Sequence, residues 1–144
     1  MKDFHSGLTV QTAIGAEVLS ANNTPPAIDL QGCRGAELVL NVGIGGITFT
    51  ASNKIEFVVT HSDDGASYSN VTDSDMLGVT GISGGIVKAL KSAHASAASY
   101  RYGYVGGKRY LKVLAKFSGT HATGTPIAAD VLCFGTINPQ ADQA

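Results

Sequence analysis

The segment YRYGYVGGKRYLKVLAKF, residues 100–117, is the stretch that decides the fold class of this chain. It holds four of the five tyrosines and five of the ten Lys and Arg residues, and it contains no Asp or Glu. Tyr100, Tyr102 and Tyr104 fall on alternate positions, as side chains do on one face of a β-strand. The glycine pair at 106–107 predicts a turn, and Tyr110–Phe117 then alternates again. The segment therefore predicts a strand, a glycine turn and a second strand, which together form a β-hairpin.

Further strands are predicted on the N-terminal side of this segment. Ala36–Val42 is one, and Lys54–His61 is the clearest, with Ile55, Phe57 and Val59 sharing one face. The sequence Ser-Asp-Asp-Gly at 62–65 predicts a hairpin turn, because Asp favours the first turn positions and Gly supplies a positive φ. Short strands separated by glycine-rich turns predict an all-β, single-domain antiparallel β-sandwich or barrel.

The 144 residues are interpreted as one domain with two extensions. Residues 1–15 are predicted to be an N-terminal arm, 16–137 the β-rich domain, and 138–144 a flexible tail. No apolar run approaches the ~18 residues of a membrane span. The first ten residues lack the apolar core of a signal peptide. We therefore expect no membrane partner.

Charge is distributed unevenly along the chain. Only 15% of the residues are charged, and the formal net charge is −1. Residues 1–75 carry nine acids and three bases, whereas residues 76–129 carry seven bases and no acid. Either the fold brings the two parts together so that they neutralise each other, or a basic patch faces an acidic partner surface.

The two cysteines, Cys33 and Cys133, lie far apart in the sequence, each beside small or apolar residues. The favoured interpretation is two reduced, buried thiols in a protein assembled in the cytoplasm. A disulfide stays open, because distance along the chain does not forbid contact.

No pattern of catalytic, metal-binding or cofactor-binding residues is recognised. The loop GVTGISGG at 78–85 lacks the Lys-Ser/Thr of a phosphate-binding loop. The acids at 63–64 and 73–75 lack the spacing of a calcium loop, and the four histidines are dispersed. No nucleophile lies in a recognisable elbow. We expect no catalytic site, no metal and no cofactor.

The basic, tyrosine-rich segment has three interpretations. Its tyrosines could pack one face of a sheet, it could form a protein interface, or it could bind nucleic acid. The pI of about 6.4 argues against nucleic acid. The predicted partner-binding residues are Arg101, Tyr104, Lys108, Arg109, Tyr110 and Lys112, and the predicted structural turn residues are Asp63, Asp64, Gly65, Gly106 and Gly107.

Two segments in this order, Glu56–Gly78 and Tyr100–Val113, carry a resemblance to a known group of proteins. Together with the opening KDFHSGLTVQTAI, they resemble small virion structural proteins of tailed bacteriophages, often encoded beside the major capsid protein. Tyr68, after the Ser-Asp-Asp-Gly turn, stands where relatives often have Trp.

The resemblance implies a capsid decoration, or cement, protein. It would be a non-enzymatic β-rich module on the capsid surface of a virion assembled in the bacterial cytoplasm. It would bind the major capsid protein, bridge capsomers and self-associate as a trimer. The alternatives are a tail or head–tail component of the virion and a carbohydrate-binding β-sandwich module, although the absence of Trp weakens the latter.

Overall fold

A computed structural model describes residues 3–135 of the chain. A short 3₁₀ turn at His5–Gly7 precedes ten β-strands, and no α-helix occurs among the described residues. The strands are β1 (Leu8–Leu19), β2 (Ile28–Asp29), β3 (Gly35–Val42), β4 (Lys54–Ser62), β5 (Ser69–Asn70), β6 (Met76–Leu77), β7 (Ile86–Leu90), β8 (Ala98–Tyr104), β9 (Tyr110–Ser118) and β10 (Thr125–Phe134).

The strands form two five-stranded antiparallel sheets, which confirms the all-β sandwich. Sheet A has the order β1-β10-β3-β8-β6. Sheet B has the order β2-β9-β4-β5, and β7 also pairs with β4. Successive side chains on each strand point to opposite faces, so each sheet contributes one apolar face to a shared core.

The core lies between the inner faces of the two sheets. From sheet A it takes Leu40 and Val131, and from sheet B it takes Phe57 and Val113, each at most 1% exposed. These are the positions that period-2 alternation assigns to the inner face. The inward face predicted for Ile55, Phe57 and Val59 is therefore confirmed.

The prediction that the Tyr100–Phe117 segment pairs with itself as a hairpin is wrong. β8 pairs with β3 and β6 in sheet A, whereas β9 pairs with β4 and β2 in sheet B. Residues 105–109 therefore cross from one sheet to the other. The physical reason is that both strands have an apolar face, and packing those faces against each other buries more surface than pairing their edges.

The predicted boundary between an arm and a domain at residue 15 falls inside a strand. β1 runs from Leu8 to Leu19 and pairs with β10 along its length. Register shifts interrupt the pairing between Thr12 and Glu17. Ala13 and Ile14 are buried there, so this part of the predicted arm belongs to the sandwich. The predicted tail at 138–144 lies outside the described residues.

The free edge of β9 is covered by two side chains instead of a strand. β2 pairs only with Tyr110 and Leu111. Beyond it, Asn23 donates from Nδ2 to the carbonyl of Val113 (3.2 Å) and accepts the amide of Ala115 at Oδ1 (2.7 Å). Asn22 Oδ1 accepts the amide of Phe117 (2.7 Å). Covering a strand edge in this way prevents it from pairing with another chain.

Cys33 and Cys133 form a disulfide, which corrects the prediction of two reduced thiols. The two residues are 100 positions apart, but their Cα atoms lie 5.4 Å from each other. β10 pairs with β3 so that Cys133 lies beside Ala36, three residues after Cys33. The pairing of β3 with β10 thus brings the two cysteines together, and their spacing in the sequence does not predict this proximity.

We expect replacement of Gly65 by Val to destabilise the fold by about 1–2 kcal/mol or more, through backbone strain. Gly65 has a φ of +73° in the turn between β4 and β5, a conformation that β-branched residues avoid. Thermal unfolding measures the effect. Gly15→Val is the control, because an added Cβ there meets nothing within 4 Å and φ is not positive. Equal melting of both variants would contradict the prediction.

Candidate functional site

The predicted partner-binding residues gather mainly at one end of the sandwich. The connection of residues 105–109, the turn between β4 and β5, and the loop after β2 meet there. We use the name crossover site for the group of side chains at this end, which consists of Tyr68, Tyr104, Lys108, Arg109, Tyr110 and Lys112.

A buried hydrogen-bonded pair underlies the crossover site. Tyr104 lies at the end of β8 and His61 near the end of β4, and both are buried. His61 Nδ1 lies 2.9 Å from the Tyr104 hydroxyl oxygen, which accepts the Lys108 amide at 3.0 Å. The Tyr104 hydroxyl proton is then free to be donated to Nδ1 of a neutral His61. The His61–Tyr104 pair joins the two sheets next to residues 105–109, where the chain crosses from one sheet to the other.

Burial sets the protonation of this pair. It lowers the pKa of His61, an effect that the nearby Asp75 carboxylate opposes and the Lys108 ammonium reinforces. Burial also raises the pKa of the Tyr104 hydroxyl. Both groups are therefore neutral at pH 7, which suits a hydrogen bond between uncharged partners inside a protein.

We expect the protein to lose stability as the pH falls through about 6.5, the ordinary pKa of His. The folded-state pKa of His61 is lowered, so the unfolded chain binds the proton more readily and acid favours unfolding. The loss of stability levels off once the pH is below the pKa that His61 has in the folded protein. Urea unfolding between pH 8 and pH 5 measures it. His61→Gln keeps a hydrogen-bonding side chain without this titration, and an unchanged pH profile in that variant would contradict the assignment.

Acids from the first half of the chain neutralise two cations of the crossover site. Arg109 forms a bidentate pair with Asp29, from Nε to Oδ1 (2.9 Å) and from Nη2 to Oδ2 (2.8 Å). Lys108 Nζ donates to Ser69 Oγ (3.1 Å) and lies 4.0 Å from an Asp63 carboxylate oxygen. Of the two interpretations of the charge asymmetry, local neutralisation therefore holds for Arg109 and, more weakly, for Lys108.

The outer face of sheet B carries two cations stacked on tyrosines. Lys112 Nζ lies 4.3 Å from the centroid of the Tyr68 ring, and Arg109 Cζ lies 4.9 Å from that of Tyr110. Cation–π contacts of this kind contribute about 0.5–1 kcal/mol at exposed sites. The Tyr68 hydroxyl is shielded from solvent and has no hydrogen-bond partner within the described part of the chain. Burial raises its pKa.

Arg101 does not belong to this site. It lies on the outer face of sheet A, where it forms an ion pair with Glu37 across 3.2 Å. The prediction that Arg101 shares one hairpin with the other predicted partner-binding residues is therefore wrong, because Arg101 lies in sheet A and Lys112 in sheet B.

The predicted turn residues have separate roles. Asp64 Oδ1 accepts the Ser62 hydroxyl and the amides of Ala66 and Ser67, at 2.8–2.9 Å. The two amides are the main reason why its pKa falls to about 2. Asp63 instead points toward Lys108.

The two glycines of the crossing connection also differ. An added Cβ at Gly106 would come within 2.8 Å of the Tyr104 ring and of an Asp75 carboxylate oxygen. Gly106 therefore allows a close approach of the chain to these two residues. Gly107 has a φ of +73°.

Sequence reasoning missed His61 and Tyr68 as members of this end of the molecule. His61 continues the inward series Ile55, Phe57 and Val59, so its burial could have been read from the period of β4. Its partner Tyr104 is on the other sheet, and no local pattern connects the two. The contact between Tyr68 and Lys112 likewise depends on the pairing of β4 with both β5 and β9.

Across residues 3–135, no group of three or more His, Cys, Asp or Glu side chains is placed to hold a metal ion. No helix in the same range is long and apolar enough to cross a membrane. Two clefts, of about 670 and 570 Å³, both include part of the outer face of sheet A.

The fold and the site define an all-β sandwich that has a polar and aromatic surface at one end. Comparison with protein-family models, with curated proteins and with solved structures gave no match.

Proposed function

We propose that this protein is a non-enzymatic structural component of a tailed-bacteriophage virion. It decorates the capsid surface, binds the major capsid protein and stabilises the shell by bridging capsomers. The virion assembles in the host cytoplasm, and the exposed side chains of the crossover site meet the capsid, whereas the buried Tyr104 supports them from beneath.

One observation carries this proposal. The two segments that resemble phage virion proteins, Glu56–Gly78 and Tyr100–Val113, meet in space at the crossover site. Their contacts are His61 with Tyr104 at 2.9 Å, Lys108 with Ser69 at 3.1 Å, and Lys112 over the Tyr68 ring. The resemblance therefore concerns one continuous surface of the folded molecule and not two unrelated stretches.

The composition of this surface suits a protein partner. Tyrosine and arginine are enriched in protein interfaces, because they offer a large contact area together with hydrogen-bonding groups. Tyr68 and Tyr110 each lie beneath a cation instead of forming an open aromatic platform. This arrangement supports a protein partner over the carbohydrate-binding alternative.

We expect the double reversal Lys108→Glu with Lys112→Glu to lower particle binding about tenfold, with rising salt weakening wild-type binding. Each rim charge contributes about 0–1 kcal/mol, and many symmetric copies multiply that effect. The measurement mixes purified protein with phage particles stripped of it, at several ionic strengths. Arg109 is left unchanged, because its pairing with Asp29 would be lost as well.

Lys91→Glu is the matched control. Lys91 is exposed just after β7, at the opposite end of β4 from the crossover site. Rebinding that is independent of salt, with the double reversal binding as well as wild type, would refute the role of this surface. Cryo-electron microscopy of the rebound particles separates a capsid position from a tail or head–tail position.

A further inference from the structure

The outer face of sheet A is unusually apolar for a surface that none of residues 3–135 covers. Outward positions of a sandwich are ordinarily polar. Here three of them, Leu77, Val105 and Phe134, are 57%, 56% and 47% exposed. Apolar side chains also occupy the outward, half-buried positions Leu8, Val10, Val39, Ala128 and Leu132.

The strand register arranges these residues in rows across the sheet. One row contains Val10, Leu132, Glu37, Gly103 and Leu77, and the next contains Leu8, Phe134 and Gly35. Val105, just after β8, lines the same cleft as Phe134 and Leu77. The row on the other side contains Thr12, Asp130, Val39 and Arg101. Val39 thus lies at the centre of the face, with Asp130 on one side of it and Arg101 on the other.

We infer that this face is the interface between two copies of the chain. The two copies are related by a two-fold axis that is parallel to β3 and lies between the two faces. Such an axis exchanges the β10 side of the face with the β8 side. Arg101 of each copy then faces Asp130 of the other, and the two Val39 side chains meet at the centre. Phe134 of each copy likewise faces Val105 of the other.

The charges of the face fit a second copy because they complement themselves under this rotation. Two Arg101–Asp130 pairs form symmetrically, as a two-fold interface requires. Glu37 lies on the axis and faces its counterpart, so each Arg101 lies between Glu37 of its own chain, at 3.2 Å, and Asp130 of the other copy.

The size of the face is sufficient for a specific dimer. Four strands ~4.8 Å apart and about eight residues long, at ~3.3 Å per residue, cover about 500 Å², and the short β6 (Met76–Leu77) adds little. Two such faces bury about 1,000 Å² in total, near the smallest area of a specific protein interface. This inference does not depend on the proposed capsid function, and a two-fold axis differs from the trimer that the resemblance implies.

Light scattering coupled to size-exclusion chromatography tests the inference on the purified chain. We expect a mass twice the 14.8 kDa of one chain. Val39→Asp should raise the dimer dissociation constant about 100-fold, because it places two like charges together in an apolar interface. Val58→Asp is the matched control, since Val58 is half-buried on the outer face of β4, at the centre of sheet B. It should remain dimeric.

A charge exchange keeps the test decisive if Val39→Asp fails to fold. Arg101→Asp alone and Asp130→Arg alone should each weaken the dimer, and the two combined should restore part of the association, because Glu37 still lacks its Arg101 partner. A monomeric or trimeric wild type would overturn the inference. So would a dimer that Val39→Asp leaves intact, a dimer that Val58→Asp breaks, or a charge exchange that fails to restore association.

Discussion

Reduction of the Cys33–Cys133 disulfide is expected to lower the free energy of unfolding by about 4–5 kcal/mol. The bond closes a loop across 100 residues of sequence. Opening it gives the unfolded chain many more conformations, and the entropic gain increases with loop length. Since small domains are stable by only about 5–15 kcal/mol, a loss of this size removes a large part of the total.

The position of the bond adds to this expectation. Cys33 lies in the loop that leads from β2 of sheet B to β3 of sheet A, and Cys133 lies in β10 of sheet A, so the disulfide fastens this connecting loop to the sheet. Under the proposed assembly in the host cytoplasm, the thiols stay reduced there and are oxidised after the virion leaves the cell.

Urea unfolding with and without a thiol reductant measures the effect. The Cys33→Ser, Cys133→Ser double variant should match the reduced wild type, and the reductant should not change it. Equal stability of oxidised and reduced wild type would show that the bond contributes nothing. Free thiols in the oxidised protein, detected by alkylation and mass spectrometry, would show that the bond does not form.

Replacement of Asn23 by Ala is expected to cost about 2–4 kcal/mol and to promote self-association through β9. The side chain makes two hydrogen bonds to the backbone of β9, with the Val113 carbonyl and the Ala115 amide. Leaving a buried backbone group without a partner costs about 1–3 kcal/mol. The loss would also uncover a strand edge that can pair with another chain.

Chemical denaturation and a concentration series in light scattering measure the two effects. Asn23→Asp is the informative comparison, because it keeps the acceptor for the Ala115 amide and loses the donor for the Val113 carbonyl. It should fall between wild type and Asn23→Ala in stability. Asn53→Ala is a control in a different loop, where the side chain accepts the exposed amide of Thr120. A stable, monodisperse Asn23→Ala protein would contradict the role assigned to this side chain.

The candidate site was predictable only in part. Tyr104, Lys108, Arg109, Tyr110 and Lys112 were all identified from the basic, tyrosine-rich segment, and the structure places them at or near one end of the sandwich. Arg101 was assigned to the same surface, because its position in the sequence gives no sign that β8 and β9 belong to different sheets. The acid that neutralises Arg109, Asp29, is 80 residues away along the chain.

Local alternation determined which side chains of this protein face the core. The period of two along β4 and β9 is a property of the extended backbone itself, so Phe57 and Val113 could be assigned to the inner face without any knowledge of the fold. The all-β class follows from the same local pattern. The turn at Ser62–Gly65 also depends on its own residues, since Asp64 satisfies its amides and Gly65 adopts the positive φ.

Only the tertiary structure decided which strands are neighbours. The glycine pair at 106–107 permits either a hairpin or a crossing between sheets, and the choice depends on how much apolar surface the whole chain can bury. The Cys33–Cys133 bond, the contact of His61 with Tyr104 and the row of Asp130, Val39 and Arg101 all follow from that choice. Each joins residues that are distant in the sequence, and their proximity is a consequence of global packing, which no local pattern contains.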